Sequence, residues 1–182
     1  MNMEKLLNKK VVRLTKEAAF VLITVVCAVV LPQRFHAAGV VFGIGGALGQ
    51  MFLPMYIPVL IFGFYRGPVS GAVAGLLAPL ASFAVTGMPA AAMLPFITLE
   101  LIATGLLAGA FAASKLPAVF RVLAVQVGAK FVRLAAFAIS LYAANGVLSA
   151  SALFAGILTS VPGVILQLVI VTFLIVKKEK NA

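Results

Sequence analysis

The sequence predicts an all-α integral membrane bundle, a single domain over residues 1–182 with six transmembrane helices and both termini in the cytoplasm. Of its 182 residues, 64% are hydrophobic and 10% are charged, whereas soluble domains have about 45–50% apolar and about 25% charged residues. A globule of this length could not bury so much apolar surface. Long apolar runs with basic residues at their ends complete the pattern.

Six apolar segments approach or exceed the roughly 20 residues that a transmembrane helix requires. The second is interrupted by glycines between residues 43 and 49 and by Pro54 and Pro58, and we interpret it as a glycine-rich entry followed by a span that ends near Arg66. Pro79 is expected to bend the third. Turn signals such as Arg66-Gly67-Pro68 separate the segments. In order, the predicted spans cover residues 17–31, 37–64, 67–86, 90–114, 117–145 and 151–176.

The distribution of basic residues predicts the orientation. With six spans, both termini and the loops that carry Arg66 and Lys115 lie on one side, whereas the opposite loops contain only Arg34. The positive-inside rule places the basic side in the cytoplasm. The basic residues of the termini are Lys5, Lys9, Lys10, Arg13 and Lys16, and Lys177, Lys178 and Lys180.

The net charge of +10 and the isoelectric point of about 10.3 could suggest a nucleic-acid partner. The placement of the charge argues against one, because most basic residues lie at the ends of apolar runs. They neither form a stripe nor alternate with stacking aromatic residues. The expected environment is therefore the lipid bilayer.

Residue types that commonly perform catalysis are scarce. His36 is the single histidine and is expected in the first outer loop, Cys27 is the single cysteine, and aspartate is absent. These counts exclude a Ser-His-Asp triad, a multi-histidine metal site and an intrachain disulfide. The glycines between residues 43 and 49 lack the Lys-Ser/Thr that follows a phosphate-binding loop. We therefore expect no enzymatic activity, catalytic residue, metal site or cofactor.

Small residues recur at helical spacing in the third and fourth spans. Gly71 and Gly75, and Gly105 and Gly109, form small-xxx-small faces that allow close approach of helix backbones. Packing inside the bundle is one interpretation, and docking against a partner subunit is the other.

Three charged residues lie well inside predicted spans, away from their ends: Glu100, Lys130 and Arg133. A charge at the bilayer centre costs at least about 2.5–3.5 kcal/mol on insertion scales, so each requires a partner or a function. Lys130 and Arg133 are three residues apart and project from one helix face. Glu100 could meet Lys130 if the fifth helix ends early, near Ile139. A structural ion pair between Glu100 and one base is the simpler interpretation.

Two bases opposite one acid leave a surplus positive charge, which an anionic ligand could neutralise. Polar residues nearby could complete such a site: Gln126, Tyr142 and Asn145 on the fifth span and Gln167 on the sixth. Gln126 and Gln167 could instead form hydrogen bonds between helices.

The segment FLPMYIPVLIFGFYRGP at residues 52–68, with GAVAGLLAPL from residue 71 and TGMP from residue 86, resembles the substrate-binding S-components of energy-coupling factor (ECF) transporters. These proteins import vitamins into bacteria. Glu100 with Thr104-Gly105, and a fifth span bearing Lys and Arg, are also similar to this family. The Leu-Pro-Met-x-Ile-Pro-Val pattern most resembles its pantothenate branch. Two departures are Tyr56, where many relatives have histidine, and Thr24 and Ala28 in place of the family's Ala-x-x-x-Ala docking face.

The resemblance implies a vitamin-binding subunit in a bacterial plasma membrane. Its pocket would be formed by the later helices and the first outer loop, which includes His36. Its implied partners are a transmembrane coupling subunit and two cytoplasmic ATPases, and toppling of the S-component would carry the vitamin inward. We expect Arg133 or Lys130 to hold the pantothenate carboxylate while Glu100 orients a base or accepts from a hydroxyl. The alternatives are an S-component for nicotinate or cobalamin, and a membrane assembly protein without transport function.

Overall fold

The computed structural model describes residues 3–143 and 158–181, and all the regular elements in these two ranges are helices. The predicted site residue Asn145 lies outside the described residues. The helices are α1 (Met3–Val41), α2 (Ala47–Phe52), α3 (Tyr56–Arg66), α4 (Pro68–Thr86), α5 (Leu94–Phe111), α6 (Ala118–Ala143) and α7 (Val161–Lys180).

The chain is a multi-pass helical membrane protein, as the sequence predicts. In the described ranges, α1, α4, α5, α6 and α7 are each long and apolar enough to cross a bilayer. The apolar helix α3 has only 11 residues. At about 1.5 Å per residue it covers about half of a hydrocarbon core that is roughly 30 Å thick.

Residues 37–64, predicted as a glycine-rich entry followed by a span, are divided among three helices, and the span that follows the glycines is itself broken. The first of these residues belong to α1, and a turn at Gly43 and Gly45, both with positive φ, leads into the short α2. A second break follows at Leu53, which has a φ of 44° and precedes Pro54. These left-handed conformations end a helix, and proline cannot donate the next backbone hydrogen bond. The expected end near Arg66 is confirmed, because α3 ends there.

Helix α1 is far longer than the predicted span of residues 17–31. It has 39 residues and continues through Pro32 to Val41. Arg34 and His36 therefore lie inside a helix, and their predicted position in an outer loop is wrong. Pro32 and the polar side chains beside it do not end the helix. A helix of about 58 Å exceeds the thickness of the bilayer, so polar residues are tolerated toward its ends.

Contacts between side chains bring the basic ends of several helices together. Arg66 at the end of α3 pairs with Glu17 on α1. Lys178 near the end of α7 donates to the carbonyl of Phe64 at 3.5 Å. Arg121 near the start of α6 pairs with Glu179. The amino-terminal part of α1 and the carboxy-terminal end of α7 therefore lie at the same end of the bundle, which we call the basic end.

The glycine faces pack inside the bundle, as the first interpretation predicts. A β-carbon at Gly71 would lie 2.3 Å from the carbonyl oxygen of Gly105, and one at Gly75 would lie 2.2 Å from that of Leu101. A β-carbon at Gly109 would lie 2.1 Å from the backbone nitrogen of Pro68. Only hydrogen fits at these positions. The backbones of α4 and α5 therefore approach as closely as small-residue interfaces in membranes allow.

Thr24 and Ala28, which replace the Ala-x-x-x-Ala docking face of the S-components, make contacts inside the bundle. Ala28 is fully buried in a cluster with Tyr56, Val59, Ala78 and Leu101. Thr24 is 7% exposed and donates to the carbonyl of Phe20 within α1. In this conformation Ala28 packs α1 against α3 and α4 and does not face outward.

We expect Gly105→Val to destabilise the bundle strongly. A β-carbon at Gly105 would lie 2.0 Å from the carbonyl oxygen of Gly71, and backbone cannot yield as a side chain can. The loss should reach at least the ~1–3 kcal/mol seen for overpacked cores. Thermal unfolding in detergent, followed by circular dichroism, measures it. Ala110→Val, at an exposed position on the same helix, is the matched control, and equal midpoints for the two variants would contradict this account.

Candidate functional site

A buried carboxylate on α5 is bound by three donors from two other helices. Glu100 is 1% exposed. Its Oε2 accepts from the Tyr56 hydroxyl at 2.7 Å and from Arg133 Nη1 at 3.1 Å. Its Oε1 accepts from Lys130 Nζ at 2.6 Å. We call these four residues the Glu100 cluster.

The packing of three helices explains why these side chains meet. Helix α5 packs against α3 on one side and α6 on the other. Lys130 and Arg133 lie one turn apart on α6, so both face α5. Helix α6 continues to Ala143, and the contact with Glu100 therefore does not require it to end near Ile139.

Both Lys130 and Arg133 pair with Glu100. The simpler interpretation of the sequence expected only one of the two bases to pair with Glu100, with the other turned outward. The side chains of Lys130 and Arg133 are 22% and 11% exposed, so neither is fully solvated. Two cations and one anion leave one surplus positive charge in the cluster. Arg133 Nε is buried and has no hydrogen-bond partner. The cluster is therefore short of an acceptor.

Tyr56 is a member of the cluster that sequence reasoning did not select for the site. Its hydroxyl is buried with Glu100, and Lys130 Nζ lies 5.4 Å from the centre of its ring. A tyrosine in the middle of an apolar segment was the available signal, because a buried hydroxyl needs a hydrogen-bond partner. The sequence does not show which acceptor that is.

Two openings reach the Glu100 cluster from different sides. One is a cavity of about 130 Å³ whose lining includes Gln33, His36, Tyr56 and Ser82. The other, of about 240 Å³, lies between α6 and α7 and includes Gln126 and Lys130. Tyr56 lines the first opening and Lys130 the second, so each opening reaches the cluster at one of its members. Both are smaller than the roughly 300–1,000 Å³ of typical small-molecule sites.

His36 occupies a fixed position in the smaller cavity. A β-carbon at Gly49 would lie 2.6 Å from the imidazole Cε1, and one at Gly46 would lie 3.1 Å from Nδ1. The imidazole therefore packs directly on the backbone of α2 and the turn before it. Gln33 Nε2, from the same part of α1, is buried without a hydrogen-bond partner. This cavity has at least one donor that lacks an acceptor.

The remaining predicted site residues lie outside the Glu100 cluster. Gln126 Nε2 donates to the carbonyl of Val164 at 3.4 Å, and Gln167 Nε2 donates to that of Leu53 at 3.3 Å. Gln126 therefore joins α6 to α7, and Gln167 joins α7 to the segment between α2 and α3. This agrees with the alternative interpretation, in which the two glutamines form hydrogen bonds between helices. Gln126 Oε1 remains buried without a partner. Tyr142 is 94% exposed and makes no described contact with the cluster.

Comparison with protein-family models, with curated proteins and with solved structures finds no match to this chain. Its function is therefore inferred from its own residues and their geometry.

We expect Glu100→Gln to destabilise the protein by about 3–5 kcal/mol, because removal of one partner leaves buried charge uncompensated. Tyr56→Phe should cost about 1.5–3 kcal/mol, the range for hydrogen bonds to charged groups. Thermal unfolding in detergent measures both changes.

The control for this prediction is Glu17→Gln, which removes the acid of the partly exposed pair with Arg66. Its cost should be about 1 kcal/mol or less. A double variant, Glu100→Gln with Arg133→Gln, should recover part of the loss. An effect of Glu100→Gln no larger than that of Glu17→Gln would show that the cluster does not stabilise the bundle.

Proposed function

We propose that the chain is the substrate-binding S-component of an ECF-type vitamin importer in a bacterial plasma membrane, and that its ligand is an anionic vitamin such as pantothenate. The observation that carries the proposal is the Glu100 cluster, in which one buried acid faces two bases. Intramembrane ionisable residues generally mark binding or transport sites. The resemblance of residues 52–68 to S-components supports the same conclusion.

A six-span topology with both termini in the cytoplasm is part of this proposal. Five crossings are α1, α4, α5, α6 and α7. The additional crossing, second in chain order, would consist of α2 and α3 together, since α3 alone is too short. Support comes from the basic end, where the amino-terminal part of α1 and the end of α7 lie together. The positive-inside rule assigns that end to the cytoplasm.

Terminal reporter fusions test the topology. Green fluorescent protein fused to either terminus should fluoresce, and alkaline phosphatase fused to either should be inactive. Activity of the phosphatase at one terminus would place the termini on opposite sides and exclude an even number of spans.

Arg133 is the residue best suited to a ligand carboxylate. A guanidinium presents several donors in one plane and binds carboxylates with two parallel hydrogen bonds. In the cluster, Nη1 donates to Glu100 and Nε has no partner. A carboxylate at Nε would neutralise the surplus charge while the bond to Glu100 is kept.

The size of the two openings favours a small vitamin. From cavities of about 130 and 240 Å³, a corrinoid ring system would require a much larger rearrangement than a small vitamin would, which disfavours cobalamin. Pantothenate and nicotinate both carry a carboxylate. Pantothenate adds hydroxyl and amide groups, for which one opening offers the unpartnered Gln33 Nε2 and the other offers Gln126 Oε1. Because each opening is small, binding would require side chains of the Glu100 cluster to move apart.

We expect Arg133→Ala and Lys130→Ala each to weaken pantothenate binding by about tenfold or more, since one hydrogen bond to a charged group contributes about 1.5–3 kcal/mol. Equilibrium binding of labelled pantothenate to purified protein measures the change. Lys115→Ala, an exposed residue between α5 and α6, is the control. Unchanged affinity in both variants would refute the site. Binding of nicotinate in place of pantothenate by the natural sequence would refute only the choice of vitamin.

A membrane assembly protein without transport function is the second candidate. The observation in its favour is that both bases already pair with Glu100, as in a purely structural cluster. Copurification distinguishes the two. An S-component should retain a transmembrane coupling subunit and two ATPases when isolated in mild detergent from its native membrane, whereas an assembly protein should retain neither.

A further inference from the structure

A groove on the outside of α1 is not used by the proposed vitamin site. We call it the α1 groove. It has an apolar part of about 510 Å³ between α1 and α3 and a basic part of about 590 Å³ along the start of α1, and Arg66 lines both. The α1 residues that line it follow each other at intervals of one to four positions along one side of the helix, first Asn8, Lys9, Val12, Arg13 and Lys16, and then Phe20, Ile23, Thr24, Cys27 and Leu31.

The apolar part has the length of one lipid acyl chain in one leaflet. From Phe20 to Leu31 the groove extends about 17 Å along α1, at about 1.5 Å per residue. One leaflet contributes about 15 Å of hydrocarbon to a bilayer core of about 30 Å. Its opposite wall is formed by Ile57, Pro58 and Ile61 of α3. The groove is therefore concave, apolar and matched to a single leaflet.

On the proposed topology, the basic part lies at the level of the cytoplasmic lipid headgroups. Lys16 is adjacent to Glu17, the partner of Arg66 at the end of α3, and Arg13 is about 6 Å further along the helix. The headgroup layer extends about 5–8 Å beyond the hydrocarbon on each side. Arg13 and Lys16 thus lie at the depth of the phosphates, directly beyond the apolar part of the groove.

Charge in this part of the groove is not balanced. Arg66 is paired with Glu17 and also lies 4.5 Å from the centre of the Phe20 ring. Arg13 and Lys16 are exposed, and among the side chains that the structure describes neither has a carboxylate partner. An anion at this position would meet two exposed cations that have no carboxylate partner among the described side chains.

We propose that the α1 groove binds an anionic phospholipid, with one acyl chain between α1 and α3 and the phosphate at Arg13 and Lys16. Basic pockets between transmembrane helices on the cytoplasmic side bind anionic headgroups, and each basic residue near the surface contributes about 1 kcal/mol, or about fivefold. The combination of a chain-length apolar groove and unpaired cations at phosphate depth specifies this ligand class. Neither feature alone would do so.

Fluorescence quenching by brominated lipids tests the proposal, because the sequence contains no tryptophan. Phe20→Trp places the only tryptophan at the junction of the two parts of the groove. Phe120→Trp is the matched control, since Phe120 is also exposed (58%, against 45% for Phe20) and lies near the basic start of α6. Each variant of the full chain is reconstituted in phosphatidylcholine vesicles containing an equal fraction of brominated phosphatidylglycerol or brominated phosphatidylcholine.

We expect the tryptophan of Phe20→Trp to prefer brominated phosphatidylglycerol by about fivefold or more in apparent association constant. Adding Arg13→Gln and Lys16→Gln should remove that preference, and Phe120→Trp should show little. Because both charged positions are exposed, these changes should leave the thermal unfolding midpoint intact. Equal quenching of Phe20→Trp by the two lipids would overturn the proposal. An equal preference at Phe120→Trp would also overturn it, since it would indicate general enrichment of anionic lipid around a basic protein.

Discussion

A carboxylate buried inside a membrane protein is the constraint on which the rest of this structure depends. Glu100 is almost completely withdrawn from solvent, and an isolated charge in such surroundings is strongly disfavoured. Tyr56, Lys130 and Arg133 supply hydrogen bonds and countercharge at one point. Because these donors come from α3 and α6, the cluster fixes how both helices face α5. The same cluster carries one surplus positive charge, because two bases face one acid.

Small residues make this arrangement geometrically possible. Gly105 lies on α5 a little more than one turn beyond Glu100, and its carbonyl oxygen would be 2.6 Å from a β-carbon at Gly63 of α3 and 2.3 Å from one at Gly71 of α4. With larger residues the three backbones would move apart, and the Tyr56 hydroxyl would lose its reach to the carboxylate. Packing in membranes relies on such close contacts because lipid provides little hydrophobic drive for helices to associate. The polar cluster therefore depends on the apolar interface beside it.

The two ends of the bundle have different characters. At the basic end, ion pairs and carbonyl contacts connect α1, α3, α6 and α7, and exposed basic side chains such as Arg13 and Lys16 continue along the start of α1. Toward the opposite end of α1, His36 packs on α2 beside a small cavity that also contains Gln33 and Tyr56. If both proposals hold, a small solute would bind toward one end of the bundle and anionic lipid at the other. The residues that line the α1 groove are separate from the Glu100 cluster.

The sequence by itself determined the class of the protein, most of its helices and the charged residues at its centre. Apolar length and basic flanks are local properties, and they identified α4, α5, α6 and the end of α3 closely. Glu100, Lys130 and Arg133 stood out because charge within an apolar run is costly wherever the chain folds. Only the tertiary structure decided that both bases bind the same carboxylate, that Tyr56 joins them, and that His36 lies within a helix. The contacts of Glu100 connect residues 30 to 44 positions apart. Which distant side chains meet depends on how the helices are oriented when they pack, and no local sequence pattern encodes that orientation.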